Sequence, residues 1–313
     1  MKKIVRPIVV ATMLLGLISQ QVYAIDTTAV NEKWGKPTVV YGGGLNDQQI
    51  KETSKLLGIK DENTVTTTKA TGEDLVKYLG AGEANTSVMI SSVMVQKRNK
   101  GEGVKVHIAT PKNITLVTSE QYANAAITAG VADAEIEVAA VSKVTGESAL
   151  TGVYKAFEAN GVVLDGKRTA VAQQELELTN QIAQEQSKEK GFDAAKLDQA
   201  MIDIKKSLAE IKEKQGQVAT KEDVERIVNE ALKKYGLDKV ISPTQVNNII
   251  QFALSYQQTS AIDSKQVLEQ LNSLSNTVKG KIGQLVDQAN REGWFDKIVT
   301  FFKEIFNAIF SSK

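Results

Sequence analysis

The sequence contains no cysteine and only one histidine. The missing cysteine excludes a disulfide framework, a thiolate zinc site, a cysteine nucleophile and a lipid-modified cysteine. The single histidine, His107, leaves almost no room for histidine-based catalysis or a multi-histidine metal site. We therefore predict a non-enzymatic protein without catalytic residues, cofactor or metal ion.

An excess of positive charge is also missing. The chain of 313 residues has 38 Lys and Arg against 37 Asp and Glu, a net charge of +1. Proteins that bind nucleic acid usually have a marked basic excess, so we expect no nucleic-acid partner. Hydrophobic residues make up 42% and charged residues 24% of the chain, as in folded proteins. Its length allows about two domains of roughly 100–200 residues each.

The N-terminus has the pattern of a secretory signal peptide. Three basic residues within positions 2–6 precede an apolar run over 8–18, and residues 22–24 read Val-Tyr-Ala, a small-x-Ala cleavage site. The apolar run is shorter than the ~20 residues of a membrane-spanning helix. We predict a signal peptide over residues 1–24 and a secreted, extracellular protein that could remain at the cell surface. Removal of this signal peptide changes the net charge of the chain from +1 to −2.

Glycine divides the rest of the chain into two parts. Residues 26–166 contain fifteen of the 22 glycines, whereas residues 167–313 contain six. The first part alternates short β-rich runs with helical stretches, and the second reads as one helix after another. We predict an α/β or α+β module over residues 25–166, followed by an all-α helical bundle over residues 167–313.

The order strand, helix, strand, helix occurs twice in the first module. The strands are predicted at residues 38–41 and 64–69 in the first copy, and at 114–117 and 135–141 in the second. Glycines that end a helix and Thr-Gly-Glu sequences that begin one recur at similar distances. This agreement favours a duplicated β-α-β-α unit, although short capping sequences also recur by chance.

Two further strands between the copies read as a hairpin whose turn spans residues 96–103. Lys97, Arg98 and Lys100 lie in this turn, where they could touch an anionic wall polymer or lipid headgroup. An ordinary solvated turn is the simpler interpretation. His107 lies in the next strand, on the face opposite its apolar residues, and we interpret it as a structural residue.

The second module has the spacing of packed amphipathic helices. Apolar residues recur at intervals of four and three in two series, Leu197, Met201, Ile204, Leu208 and Ile211, and then Val267, Leu271, Leu274, Val278, Ile282, Leu285 and Ala289. These series predict a bundle that is formed within one chain or shared between copies, so self-association through the helical half is possible.

The C-terminus contains five of the eight phenylalanines. On a helix they share one broad face with other apolar residues, and the candidates for binding a membrane or partner are Trp294, Phe295, Ile298, Phe301, Phe302, Ile305, Phe306, Ile309 and Phe310. Such a face must be covered. It could pack on the protein's own helices or a second copy, lie on a membrane surface, or bind a dedicated partner.

Several separated segments occur in a characteristic order: SSV at 91–93, GEGVKV at 101–106, NITLVT at 113–118, YANAAITAGV at 122–131 and TGESALTG at 145–152. With these segments, residues 26–165 and more loosely the helical half resemble a family of predicted secreted proteins of Gram-positive bacteria, domain of unknown function 1002. The resemblance implies an exported protein and supplies no catalytic residues.

Taken together, these features predict an exported, non-enzymatic interaction protein of the cell envelope or extracellular space. Its partner would be a surface component, such as a cell-wall polymer or membrane face, or another protein. Two alternatives remain open at this point. The protein could be membrane-active through its aromatic C-terminal helix, or it could be a secreted hydrolase that uses carboxylates of the first module.

Overall fold

The computed structural model describes residues 34–80 and 83–289, with side chains up to residue 283. Its first half contains a five-stranded sheet, whose strands are β1 (Thr38–Gly42), β2 (Thr66–Ala70), β3 (Ser92–Lys97), β4 (Val104–Ile108) and β5 (Ala134–Ala139). The helices that accompany the sheet are α1 (Asp47–Leu56), α2 (Gly72–Leu79), α3 (Ser119–Ala129) and α4 (Ser148–Ala159).

The second half is mostly helical. Its helices are α5 (Gly166–Gln186), α6 (Ala194–Gln215), α7 (Lys221–Lys234), α8 (Pro243–Tyr256) and α9 (Lys265–Ala289). A mixed sheet followed by a helical half is an α+β arrangement, which agrees with the predicted fold class. None of the helices in the described ranges is both long enough and apolar enough to cross a membrane.

The strand order in the sheet is β2-β1-β3-β5-β4. β1 and β2 are parallel, β4 and β5 are parallel, and β3 runs antiparallel to both β1 and β5. The predicted hairpin is therefore wrong, because β5 lies between β3 and β4. The strand predicted at residues 114–117 is also wrong, since its sheet pairing is limited to one isolated bridge between Ile114 and Val144.

Several helices begin at side-chain caps. Asn46 and Gln49 form a reciprocal capping box at α1, and Ser242 and Gln245 form another at α8. Such caps satisfy backbone N–H groups that have no partner within the helix. The Thr-Gly-Glu sequence at residues 145–147 is one of those predicted to begin a helix, but α4 starts at Ser148 without a side-chain cap.

The sheet has a buried core on each face. On one face, α3 and α4 cover the strands. On the other face, the hydroxyl groups of Tyr41 in β1 and Ser54 in α1 form a hydrogen bond of 2.7 Å. The core on the α3 and α4 side continues without interruption into the helical half, from Val40 to Ile282, because α5 packs against α3 and α6 packs against α9.

Candidate functional site

The predicted cationic loop connects β3 and β4, and two of its cations have partners there. The Lys97 ammonium donates to the backbone carbonyl of Asp133 at 3.3 Å, and Arg98 forms an ion pair with Glu135. Lys100 is exposed. The three cations therefore do not project together from a hairpin tip as the sequence suggested.

Asp133 holds this loop against α9. Its carboxylate oxygen Oδ1 accepts hydrogen bonds from the N–H groups of Gly101 and Gly103, both at 3.0 Å, and from Gln270 at 3.1 Å. Burial by itself raises the pKa of Asp133, but these hydrogen bonds and the charge of Lys97 bring the pKa below its usual value. The loop is thus fixed by a buried carboxylate that sequence reasoning did not single out.

The aromatic C-terminal face, which comprises the nine predicted binding residues, lies outside the described residues. The predicted signal peptide over residues 1–24 also lies outside them.

His107 and Glu137 form a hydrogen-bonded pair on adjacent strands. The distance between His107 Nδ1 and Glu137 Oε1 is 2.6 Å, and the Glu137 side chain is only 3% exposed. Burial raises the pKa of Glu137, and the hydrogen bond and charge of His107 partly offset this effect. A buried carboxylate in this position can orient an imidazole ring. Strand periodicity placed His107 on this face, but it could not identify Glu137 as the partner.

A shallow groove runs between α5 and α8 and has a volume of about 210 Å³. Its walls are lined mainly by side-chain amides, and the full lining is Gln174, Glu177, Leu178, Gln181, Asn248 and Gln251. Each amide offers donors and an acceptor. Leu178 is buried, whereas the polar lining residues are exposed. This arrangement can form many neutral hydrogen bonds with a ligand.

Two hydrogen bonds hold Glu177 and Gln181, which are two of the polar side chains of this groove. Gln173 donates to Glu177 at 3.1 Å, and Gln181 donates to Glu185 at 2.8 Å. The sequence showed the Gln- and Glu-rich stretch that becomes α5, but the facing residues of α8 lie more than sixty positions away.

Within the described ranges, no group of three or more His, Asp or Glu side chains is placed to hold a metal ion.

A family model described as "Protein of unknown function (DUF1002)" matches residues 41–274. The chain belongs to this family. The match confirms the resemblance drawn from the sequence and includes most of the helical half.

A similar relative is the "Uncharacterized protein YpuA" of Bacillus subtilis (strain 168). It is 30% identical over 317 residues, which cover 99% of each chain. No solved structure matches the chain. In this DUF1002 protein, the groove between α5 and α8 lies within the residues matched by the family model.

Proposed function

We propose that this protein is exported and acts as a non-enzymatic interaction protein of the cell envelope or extracellular space, where it binds a surface component. The observation that supports this proposal best is the amide-lined groove between α5 and α8. Its volume of about 210 Å³ is below the roughly 300–1,000 Å³ of typical ligand pockets. An open groove of this kind suits part of an extended polymer better than an enclosed small substrate.

The chemistry of the groove favours a ligand rich in hydroxyl and amide groups. Amide side chains can donate to and accept from such groups at the same time, and Glu177 is the one ionisable residue in the lining. The glycan and peptide parts of a cell wall present these groups. A strongly anionic polymer fits less well, because a carboxylate and no cation line the groove.

Cosedimentation with purified cell walls tests the proposal. The mature chain, residues 25–313, is expected to sediment with the walls. Gln174→Ala combined with Gln251→Ala should weaken binding about 30-fold, because each of the two lost hydrogen bonds contributes about 1 kcal/mol. The matched control combines Gln184→Ala with Gln258→Ala, since both of these glutamines are exposed but outside the groove lining.

Two results would contradict wall binding through the groove. One is a mature chain that stays in the supernatant at every wall concentration. The other is equal binding by the groove variant and its control. Detection of the mature protein in culture medium or the wall fraction, with Ile25 as its first residue, tests export separately.

A second candidate function is association with a membrane surface, and the aromatic C-terminal sequence favours it. The same sedimentation experiment with anionic phospholipid vesicles compares residues 25–313 with residues 25–292. We expect the vesicles to bind only the longer chain if this function holds. Equal binding, or none by either chain, would contradict it.

Two finer architectural predictions remain proposals. For the duplicated unit, we propose that β1-α1-β2 and β4-α3-β5 are related, with β4 in place of the strand predicted at residues 114–117. Each of these units pairs its two strands in parallel around a connecting helix. We further propose that α5 to α9 act as one bundle that presents the groove. Contacts of α5 with α8, α7 with α8, and α6 with α7 and α9 support the second idea.

A further inference from the structure

A lysine lies in the interior where α3, α5 and α6 meet. The Lys205 side chain of α6 is 0% exposed, and its ammonium nitrogen Nζ lies 2.7 Å from Glu175 Oε1. The same nitrogen lies 2.6 Å from the amide oxygen Oδ1 of Asn124 and 2.9 Å from the hydroxyl oxygen of Thr128. Three helices therefore bring an amine, a carboxamide and a carboxylate into direct contact.

The residues of this cluster are shielded from bulk solvent. Asn124 is 1% exposed and Glu175 is 1% exposed, and the Tyr256 ring centre lies 5.8 Å from the lysine nitrogen. Burial lowers the pKa of Lys205, although the negative charge of Glu175 partly offsets the effect. A neutral amine is a nucleophile and an ammonium is not. Burial therefore favours the neutral, nucleophilic form of Lys205.

We propose that Lys205 and Asn124 form an intramolecular isopeptide bond, with Glu175 as the group that transfers the proton. The cluster is thus a site of covalent self-modification. The sequence did not point to this chemistry, because Asn124, Glu175 and Lys205 lie on three different helices and each occupies an ordinary helical position.

The reaction balances without an oxidant, reductant or co-reactant. Glu175 takes a proton from the Lys205 ammonium, and the neutral Nζ then attacks the amide carbon Cγ of Asn124. The new Nζ–Cγ bond forms, Glu175 gives its proton to Nδ2, and the Cγ–Nδ2 bond breaks. Glu175 then takes up the second proton that leaves Nζ. The products are a secondary amide between the two side chains, protonated Glu175 and one molecule of ammonia.

The geometry lowers the entropic barrier to this step. Lys205 Nζ already touches the oxygen that is bonded to the reacting carbon, and a rotation of the Asn124 carboxamide exposes that carbon to attack. The Thr128 hydroxyl donates to Glu175 Oε2 at 2.6 Å and thereby orients the carboxylate. Reacting groups held in contact can reach effective molarities of roughly 10⁵–10⁸ M.

The bond would join α3, beside the sheet, to α6 in the helical half. The two residues are 81 positions apart in the chain. A covalent link over such a distance restricts the unfolded chain, as a disulfide does. Since the protein has no cysteine, this link would provide a covalent constraint that reducing agents do not break.

The intact mass of the purified, unaltered protein tests the proposal without any substitution. The expected mass is about 17 Da below the value from the sequence, because one ammonia is lost on amide formation. Trypsin should fail to cleave after Lys205, and the digest should contain one branched peptide that includes residues 124 and 205. An unmodified mass after prolonged incubation of the folded protein would overturn the proposal.

Loss of ammonia at Asn160-Gly161, through a succinimide, would give the same intact mass. That product contains no bond to Lys205, so the peptide digest separates the two explanations. Finding the mass loss only at Asn160 would also overturn the proposal.

Substitutions test the roles of the individual groups. Asn124→Ala and Lys205→Arg should have the full sequence mass, whereas Lys206→Arg, a control at the neighbouring position, should retain the loss. Glu175→Gln should slow cross-linking at least 10-fold, since a glutamine amide cannot take up the proton. Cross-linking by Glu175→Gln at the wild-type rate would refute the proton-transfer role of Glu175.

Discussion

Lys234 has a charged amine in a position that water hardly reaches. Its side chain is 9% exposed and forms an ion pair with Asp203, which also accepts a hydrogen bond of 2.8 Å from Tyr235. Burial lowers the pKa of Lys234 to about 8, and the charge of Asp203 opposes the change only in part. The folded protein therefore releases this proton at a lower pH than the unfolded chain.

This difference predicts a rise in stability with pH. Between about pH 8 and pH 10 the unfolded chain binds the proton more tightly than the folded protein, so the free energy of unfolding increases with pH. Between pH 7.5 and pH 9.5, the free energy of unfolding of the wild type should rise by about 1–2 kcal/mol more than that of Lys234→Gln. Urea denaturation at several pH values measures the gain.

The control for this prediction is Lys233→Gln, which alters an exposed neighbour and should follow the wild-type curve. The upper limit of pH 9.5 avoids ionisation of tyrosines in the unfolded chain, which begins near pH 10. If the curves of Lys234→Gln and wild type stay parallel, burial does not lower the pKa of Lys234.

Among the elements, the end of β1 has the strictest steric requirement. Gly42 is the last residue of the strand, and Gly43 and Gly44 follow it. A Cβ atom at Gly42 would lie 2.2 Å from the backbone oxygen of Met89. A Cβ atom at Gly44 would lie 2.5 Å from the oxygen of Ser87. The glycines are needed because two backbone segments approach closely.

Gly42→Ala should therefore reduce the free energy of unfolding by about 2–4 kcal/mol, because a backbone segment must move to make space. Gly166→Ala is the control, since a Cβ atom there meets nothing within 4 Å and alanine favours the helix. Chemical denaturation followed by circular dichroism compares the two variants. Equal stability of both would show that the contact with Met89 relaxes easily.

At the scale of the whole molecule, the two halves share one hydrophobic core. Apolar residues of the sheet, α3 and α4 are buried together with residues of α5, α6 and α9. The Lys205 cluster also crosses this junction. The packing of α3 against α5 joins the two halves through buried side chains rather than through a linker.

We expect a fragment of residues 25–166 to show no cooperative unfolding transition. Without the helical half, one side of its core is exposed to water. Residues 25–292 should show one cooperative thermal transition, since this fragment contains every described residue of the core, up to Ile282. Calorimetry of both fragments measures the difference. A cooperative transition in the shorter fragment would instead support the domain boundary predicted at residue 166.

The sequence predicted those features that depend on neighbouring residues. The caps at Asn46, Thr118 and Ser242 each involve a side chain three positions later, so the helix starts could be found by inspection. The apolar series of α6 was also predicted, and Leu197, Met201 and Ile204 are fully buried. The family resemblance likewise came from short local segments.

Sheet order and the candidate sites required the tertiary structure. β5 separates β3 from β4 through pairings between residues more than twenty-five positions apart, and local alternation is the same whichever strand is the neighbour. For the same reason the sequence could not pair His107 with Glu137 or join the glutamines of α5 to α8.

The sequence by itself therefore determined most helix positions, the β-containing first half followed by helices, and the family, because hydrogen bonding and periodicity within an element depend on adjacent residues. Only the tertiary structure decided which polar side chains meet in the interior. Lys205, Asn124 and Glu175 are each unremarkable in their own helix, and their chemistry arises because packing removes all three from water at one point.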